Sequence, residues 1–215
     1  MSEILKIFPT NIFKSKVKNN DYLKELLVDK ISKNSTKLET PQGWLTNNVK
    51  TSFNGEPEGC EIFFEGSPYV QTLKESYLNV LDDIFDREYS VVIYDMWYNY
   101  YSDGEYQEEH DHLGSPFKPI QFSCVHFLSF DPTQHTPTHF VDPLSQTRTF
   151  SFELDKSEFE HSFFPKIEEG DFLMFPSYLT HGVSPCLKTD YPRITISFNI
   201  NILAYGDEKI ELYQI

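Results

Sequence analysis

The sequence predicts a mainly β protein, a jelly-roll-like core buttressed by two N-terminal helices, on three observations. Apolar residues recur with helical period only ahead of residue 87. From residue 89 onward, short apolar or alternating runs are separated at steady intervals by turn residues, the pattern of a sandwich or barrel. A chain of 215 residues, 39% hydrophobic and 16% aromatic, also has material for one large core. The expected organisation is a single domain over residues 1–215, with a helical and loop region over 1–87 packed on a β core over 88–205.

Residues 4–13 are apolar but interrupted by Pro9, which suits a short edge strand. From Asn20 the period changes: Leu23, Leu26, Leu27 and Ile31 fall on one helical face, with Asn20 or Asp21 available as cap. Residues 32–66 keep no period around Trp44 and read as a long loop with the reach to cover a site. Ser67 followed by Pro68 then starts a second helix, whose stripe of Val70, Leu73, Tyr77, Leu81 and Ile84 runs to about Phe85. Strands are expected over 89–100, 121–130, 138–141, 147–154, 162–167, 172–175 and 193–203. In the last of these, Ile194, Ile196, Phe198, Ile200 and Ile202 share one face, and Arg193, Thr195, Ser197, Asn199 and Asn201 share the other. A face with one charge and no Lys or Glu reads as a wall of a polar cavity.

The net charge of −15 is uneven: residues 1–50 hold nine Lys against five Asp/Glu, leaving nine basic and 28 acidic residues for the rest. Nonspecific nucleic-acid binding is therefore disfavoured, because a phosphate backbone requires a basic surface. Cys60, Cys124 and Cys186 form neither a Cys-x-x-Cys pair nor an even set, which points to reduced thiols. With no signal core and no run of about 18 apolar residues, the expectation is a cytoplasmic protein with no membrane association. Oligomeric state stays open.

Four residues carry the chemistry. His110 and His112, two apart on extended chain, project from the same side and can meet one cation. His181 follows an apolar run ending at Pro176 and precedes Gly182, and Arg193 opens the polar-faced strand with Thr195 beside it. Each alone has an ordinary explanation: exposed loop histidines, a hydrogen-bonded structural histidine, a structural salt bridge. Together they read as a metal site beside an anion clamp, since a guanidinium fork makes two parallel charge-assisted bonds to a carboxylate. His126, His135, His139 and His161 are taken as structural.

The stretches WYNYYSDGEYQEEHDH, QFSCVHFLSF, THFVDP, GDFLMFPSYLTHGVSP and RITISFN resemble the 2-oxoglutarate and Fe(II)-dependent dioxygenases, particularly a branch common in phages and marine bacteria. The resemblance implies a double-stranded β-helix, a distorted jelly roll, in which a His-x-Asp/Glu pair and a distal His hold Fe(II) and an Arg or Lys binds the distal carboxylate of 2-oxoglutarate. Carried over, His110 matches the first ligand, His181 the distal one, and Arg193 with Thr195 the clamp. His112 falls where the carboxylate usually lies; Asp111 is the alternative, although adjacent residues on a strand point to opposite faces. Tyr98, Tyr100, Ser123 and Asn199 are further candidates to contact 2-oxoglutarate. The implied activity is a hydroxylase consuming O2 and acting on a small-molecule or peptidyl substrate, in the host cytoplasm if phage-encoded. A three-His cupin-type dioxygenase without 2-oxoglutarate, or a non-catalytic jelly-roll binding or virion module, are the competing readings.

Overall fold

The computed structural model describes residues 10–42, 44, 49–53, 63, 67–85, 89–113, 120–145, 161–186 and 189–204. Helix α1 (Asn20–Ser35) buries Leu23, Leu27 and Ile31, the spacing that the sequence sets for one face. Its cap differs from expectation: Asn19, in the left-handed region at φ 56, precedes the helix without a side-chain cap bond. Asn20 instead turns toward the sheet, where its amide donates to the Leu128 carbonyl and its Oδ1 meets the His126 ring. Helix α2 (Pro68–Ile84) starts as expected, with Pro68 in the first turn and the Ser67 hydroxyl accepting the Val70 N–H at 3.1 Å.

All strand pairs are antiparallel and form two sheets. The larger combines β1 (Phe13–Lys16), β2 (Lys50–Thr51), β3 (Tyr89–Tyr101), β5 (Phe122–Ser129), β8 (Asp171–Pro176) and β10 (Arg193–Ala204), in the order β1-β8-β5-β10-β3-β2. The smaller combines β4 (Gln107–His110), β6 (Thr138–Val141), β7 (Ser162–Phe163) and β9 (His181–Val183), in the order β4-β9-β6-β7. This is the double-stranded β-helix architecture with helices on one side. The helices cover the outer face of the larger sheet, where Ile194, Ile196, Phe198, Ile200 and Ile202 join α1 and α2 in one core. Between the sheets lies a second core of Val125, Phe127, Leu173, Phe175 and Phe140, with Phe140 edge-on to Phe175 at 4.9 Å.

Strand β8 explains its own sequence. Phe172 and Met174 enter the helix-side core while Leu173 and Phe175 enter the inter-sheet core, so FLMF is apolar throughout instead of alternating. The lysine excess of the N-terminal region is spent locally. Lys14 and Lys16 pair with the buried Asp171 at 2.9 and 3.2 Å, and Lys24 with Glu169 at 2.5 Å, tying β1 and α1 to the turn before β8.

Three short strands, β2, β4 and β9, arise where the sequence shows no strand pattern. The strand expected over 162–167 shrinks to β7, since 164–167 pair with no neighbour in either sheet. Residues 4–9 of the expected first strand and the expected strand over 147–154 lie outside the described residues. No helix among the described residues is long and apolar enough to cross a membrane.

Candidate metal centre and anion clamp

The two short strands that the sequence hides are the ones that assemble the histidines. His110 ends β4 and lies directly opposite His181, which begins β9, in the antiparallel register. Gly182 permits β9 to sit this close to its neighbours: a Cβ there would stand 3.1 Å from His139 Cε1 and 3.2 Å from the Gln107 carbonyl oxygen. His112 lies two residues beyond β4, fixed by its backbone N–H donating to the Ser177 carbonyl at 2.9 Å. One ligand atom from each of His110, His112 and His181 falls within 4.8 Å of the others. The three could meet one cation, about 2 Å from each nitrogen, once the rings draw inward.

The rings are oriented for this. His110 Nδ1 lies 2.8 Å from the Glu108 carbonyl oxygen and His181 Nδ1 lies 2.9 Å from that of Leu179, so in both rings Nδ1 carries the proton and donates. His112 Nδ1 is 2.8 Å from Asn199 Oδ1 and 2.7 Å from Ser123 Oγ. All three are thereby left with Nε2 as the lone-pair nitrogen, the arrangement of a metal-ligating imidazole. Burial lowers the pKa of His110, pulls that of His112 to about 4, and holds that of His181 well below the ordinary range, with the neighbouring rings adding to the effect for the last two. All three are neutral at pH 7, as ligands must be. Aromatic rings pack around them: Trp44 stacks on His110, Trp97 lies tilted against His112, and Phe175 lies edge-on to His181.

Arg193 faces the same cavity. It is 1% exposed, sits over the rings of Tyr101 at 4.7 Å and Phe127 at 5.4 Å, and donates from Nη2 to Thr138 Oγ1 at 3.2 Å. Its Nε and Nη1 have no hydrogen-bond partner, and among the described residues no carboxylate pairs with it. A buried cation left this way costs several kcal/mol unless an anion completes it. Burial pushes the Tyr101 hydroxyl up to about 12, opposed by the adjacent guanidinium, so it stays protonated, and it donates to Gln107 Oε1 at 2.8 Å.

Thr195 also lines the cavity. Tyr98 is a correction: paired with Ile196, it points to the helix-side core, and the inward residues of β3 are Trp97, Asn99 and Tyr101. Tyr100 has the same outward parity. Ser123 and Asn199 reach the His112 ring instead of lining the clamp. Asp111 stays exposed, its carboxylate accepting the Leu113 N–H. Among the other histidines, His126 is wedged between Tyr69 and Asn20, His135 bonds the 131 and 191 backbone, His161 meets Ser145, and His139 lies behind the site against Glu109 and Phe164. Tyr101, Thr138, Trp97 and Asn99 were not anticipated; the fixed parity of β3 would reveal three of them once its register with β10 is known.

Residues 95–199 match the family model described as "Putative 2OG-Fe(II) oxygenase", where 2OG is 2-oxoglutarate. This segment belongs to the 2OG-Fe(II) oxygenase family. The oxygenase is thus an oxidoreductase whose cofactor and cosubstrate are Fe(II) and 2-oxoglutarate, and the histidine cluster and orphaned guanidinium fit both. Its fold is shared with a Pseudomonas putida prolyl-4-hydroxylase, at 12% identity and TM-score 0.56 over 92% of this chain and 94% of that one. It is likewise shared with HygX from Streptomyces hygroscopicus bound to nickel, 2-oxoglutarate and hygromycin B, at 13% identity and TM-score 0.56 over 89% and 82%. A third is the viral collagen prolyl hydroxylase of Paramecium Bursaria Chlorella virus-1 in its 2-oxoglutarate complex, at 15% identity and TM-score 0.52 over 88% and 94%. No curated protein matches the oxygenase, and neither the family model nor these structures assigns it to a phage or marine-bacterial branch.

Proposed function

We propose that the protein is a hydroxylase in which His110, His112 and His181 hold Fe(II) through Nε2, and Arg193 binds the distal carboxylate of 2-oxoglutarate. The observation that carries this reading is the buried guanidinium with two unpaired nitrogens in the same cavity as the three histidines. A dicarboxylate supplies both what the arginine lacks and a chelating end for the metal. When bound, Fe(II) supplies the oxidation of a C–H bond by O2, coupled to decarboxylation of 2-oxoglutarate to succinate.

The protein's own contribution is positioning and exclusion of water. His110, His112 and His181 would hold the ion, and three protein ligands would leave positions for the cosubstrate and O2. Arg193 holds the far end of the dicarboxylate, with the Thr138 and Tyr101 hydroxyls beside it and Thr195 on the same strand face. The stack of Arg193 between Tyr101 and Phe127 fixes the plane of the fork, so its donors are aimed before the anion arrives. Three neutral imidazoles leave the ion's full double charge facing the cosubstrate dianion, more than a site containing a carboxylate does.

The substrate class proposed is a small molecule or a peptidyl side chain, in line with the structurally similar HygX, bound to hygromycin B, and the two prolyl hydroxylases. A three-His dioxygenase without 2-oxoglutarate leaves Arg193 unexplained. The test is anaerobic titration with Fe(II) and 2-oxoglutarate, following the visible charge-transfer band of the chelate. A band in the wild type that weakens in Arg193→Ala and His181→Ala is expected; iron binding with no band would overturn the role of 2-oxoglutarate.

A further inference from the structure

The ring of His112 differs from the other two in what holds it. His110 and His181 donate to main-chain carbonyls two residues back in their own sequence, contacts that come with the local backbone. His112 Nδ1 instead meets two side chains from distant strands, Asn199 Oδ1 at 2.8 Å and Ser123 Oγ at 2.7 Å, which are themselves bonded at 3.1 Å. Asn199 and Ser123 are direct cross-strand neighbours on β10 and β5, both at least 97% buried. The register between β10 and β3 shifts immediately after Asn199, an irregularity of the kind that re-aims a side chain.

Resting on the metal-centre reading above, we infer that Asn199 and Ser123 are positioning residues for His112: they accept its Nδ1 proton, fix its tautomer and ring plane, and so make it a ligand through Nε2. A His at this position without that pair has no acceptor holding the proton on Nδ1. In the other tautomer the proton sits on Nε2 and the nitrogen facing the metal has no lone pair to offer. Asn199 is suited to the task because its amide oxygen only accepts, and the Ser123 hydroxyl donates to that same oxygen, orienting the amide. The pair also ties the third ligand to β10, the strand that carries Arg193.

The test uses Co(II) in place of Fe(II), with metal affinity from equilibrium titration and proton spectra of the paramagnetic Co(II) protein. The wild type is expected to show three shifted, solvent-exchangeable ring N–H signals, one for each Nδ1. In Asn199→Leu, affinity should fall about 10- to 100-fold, with the His112 N–H signal lost and the other two kept. Asn199→Asp, still an acceptor, should retain both affinity and signal, a rescue that a merely structural role does not predict. Ser123→Ala should show a smaller loss in the same direction, and it carries the test should Asn199→Leu not fold. Unchanged affinity and three persistent signals in Asn199→Leu, or in Ser123→Ala if that is the surviving variant, would overturn the inference. Failure of the wild type to bind Co(II) would instead overturn the metal centre itself.

Discussion

Strand β10 has two faces with opposite duties. Its outward residues Ile194, Ile196, Phe198 and Ile200 are each fully buried under the helices and belong to the largest hydrophobic cluster. Its inward residues are as well hidden, yet they are Arg193, Thr195, Ser197 and Asn199, three of which line the cavity while the fourth props His112. Burial is equal on the two sides and chemistry is not. One face gains free energy by leaving water; the other gives some up in order to hold polar groups ready. The two faces should therefore separate in experiment, one governing stability and the other ligand binding.

The sharpest contrast comes from one truncation on each face. Phe198→Ala removes a ring stacked on Phe172 and in contact with Tyr77, and should cost about 3–5 kcal/mol in urea unfolding, with little change in 2-oxoglutarate affinity of the folded fraction. Arg193→Met should do the reverse. Loss of the clamp should weaken 2-oxoglutarate binding by about 2–5 kcal/mol, whereas thermal unfolding without cosubstrate should be unchanged or shift upward because an uncompensated buried charge is gone. A loss of stability in Arg193→Met comparable to that of Phe198→Ala would break the division between faces.

Acid distinguishes the same two environments. Burial pulls the pKa of His126, on the helix side, down to about 3 and that of His112, on the cavity side, to about 4. The unfolded chain binds a proton at each near pH 6.5 and the folded one does not. Their stabilisation is thus complete above pH 6.5 and is lost as pH falls toward the folded values, at up to about 1.4 kcal/mol per pH unit for each. Between pH 7 and pH 5, the metal-free protein should lose about 2 kcal/mol for His126 alone, and His126→Gln should remove that share of the difference. A bound metal should suppress the share of the three cavity histidines and leave that of His126. The smallest expected effect lies outside both faces: Ser67→Ala should cost about 1 kcal/mol by releasing the Val70 N–H, and should leave binding untouched.

What could be read from the residues follows the same division. The alternation of RITISFNINI announces both faces of β10, and Ser67-Pro68 announces α2, because these are local patterns of period and capping. Arg193, Thr195 and the three histidines were recognisable as types suited to an anion and a metal. Strands β4 and β9 were not, because QEEH and HGV carry no period and exist as strands by pairing with each other and with β6. Tyr98 was misassigned for a related reason: parity along β3 is set by its register with β10, and a one-residue shift exchanges Tyr98 for Trp97 and Asn99. Thr138, from a strand of the other sheet, meets Arg193 only through the tertiary fold.

The salt-bridged strand at the start of the chain has a consequence for behaviour in concentrated solution. Strand β8 carries four consecutive apolar residues, Phe172 to Phe175, on both of its faces, and an open edge beside such a run invites intermolecular β-pairing. Among the described residues its outer edge is covered by β1, whose two lysines are locked onto Asp171 at the start of β8. Among the described residues the sheet therefore ends on a four-residue strand bearing two lysines, a poor partner for another molecule. Detaching that strand, by truncation or by high salt acting on the partly exposed lysines, should convert the folded protein into a seed for self-association before the catalytic interior is disturbed.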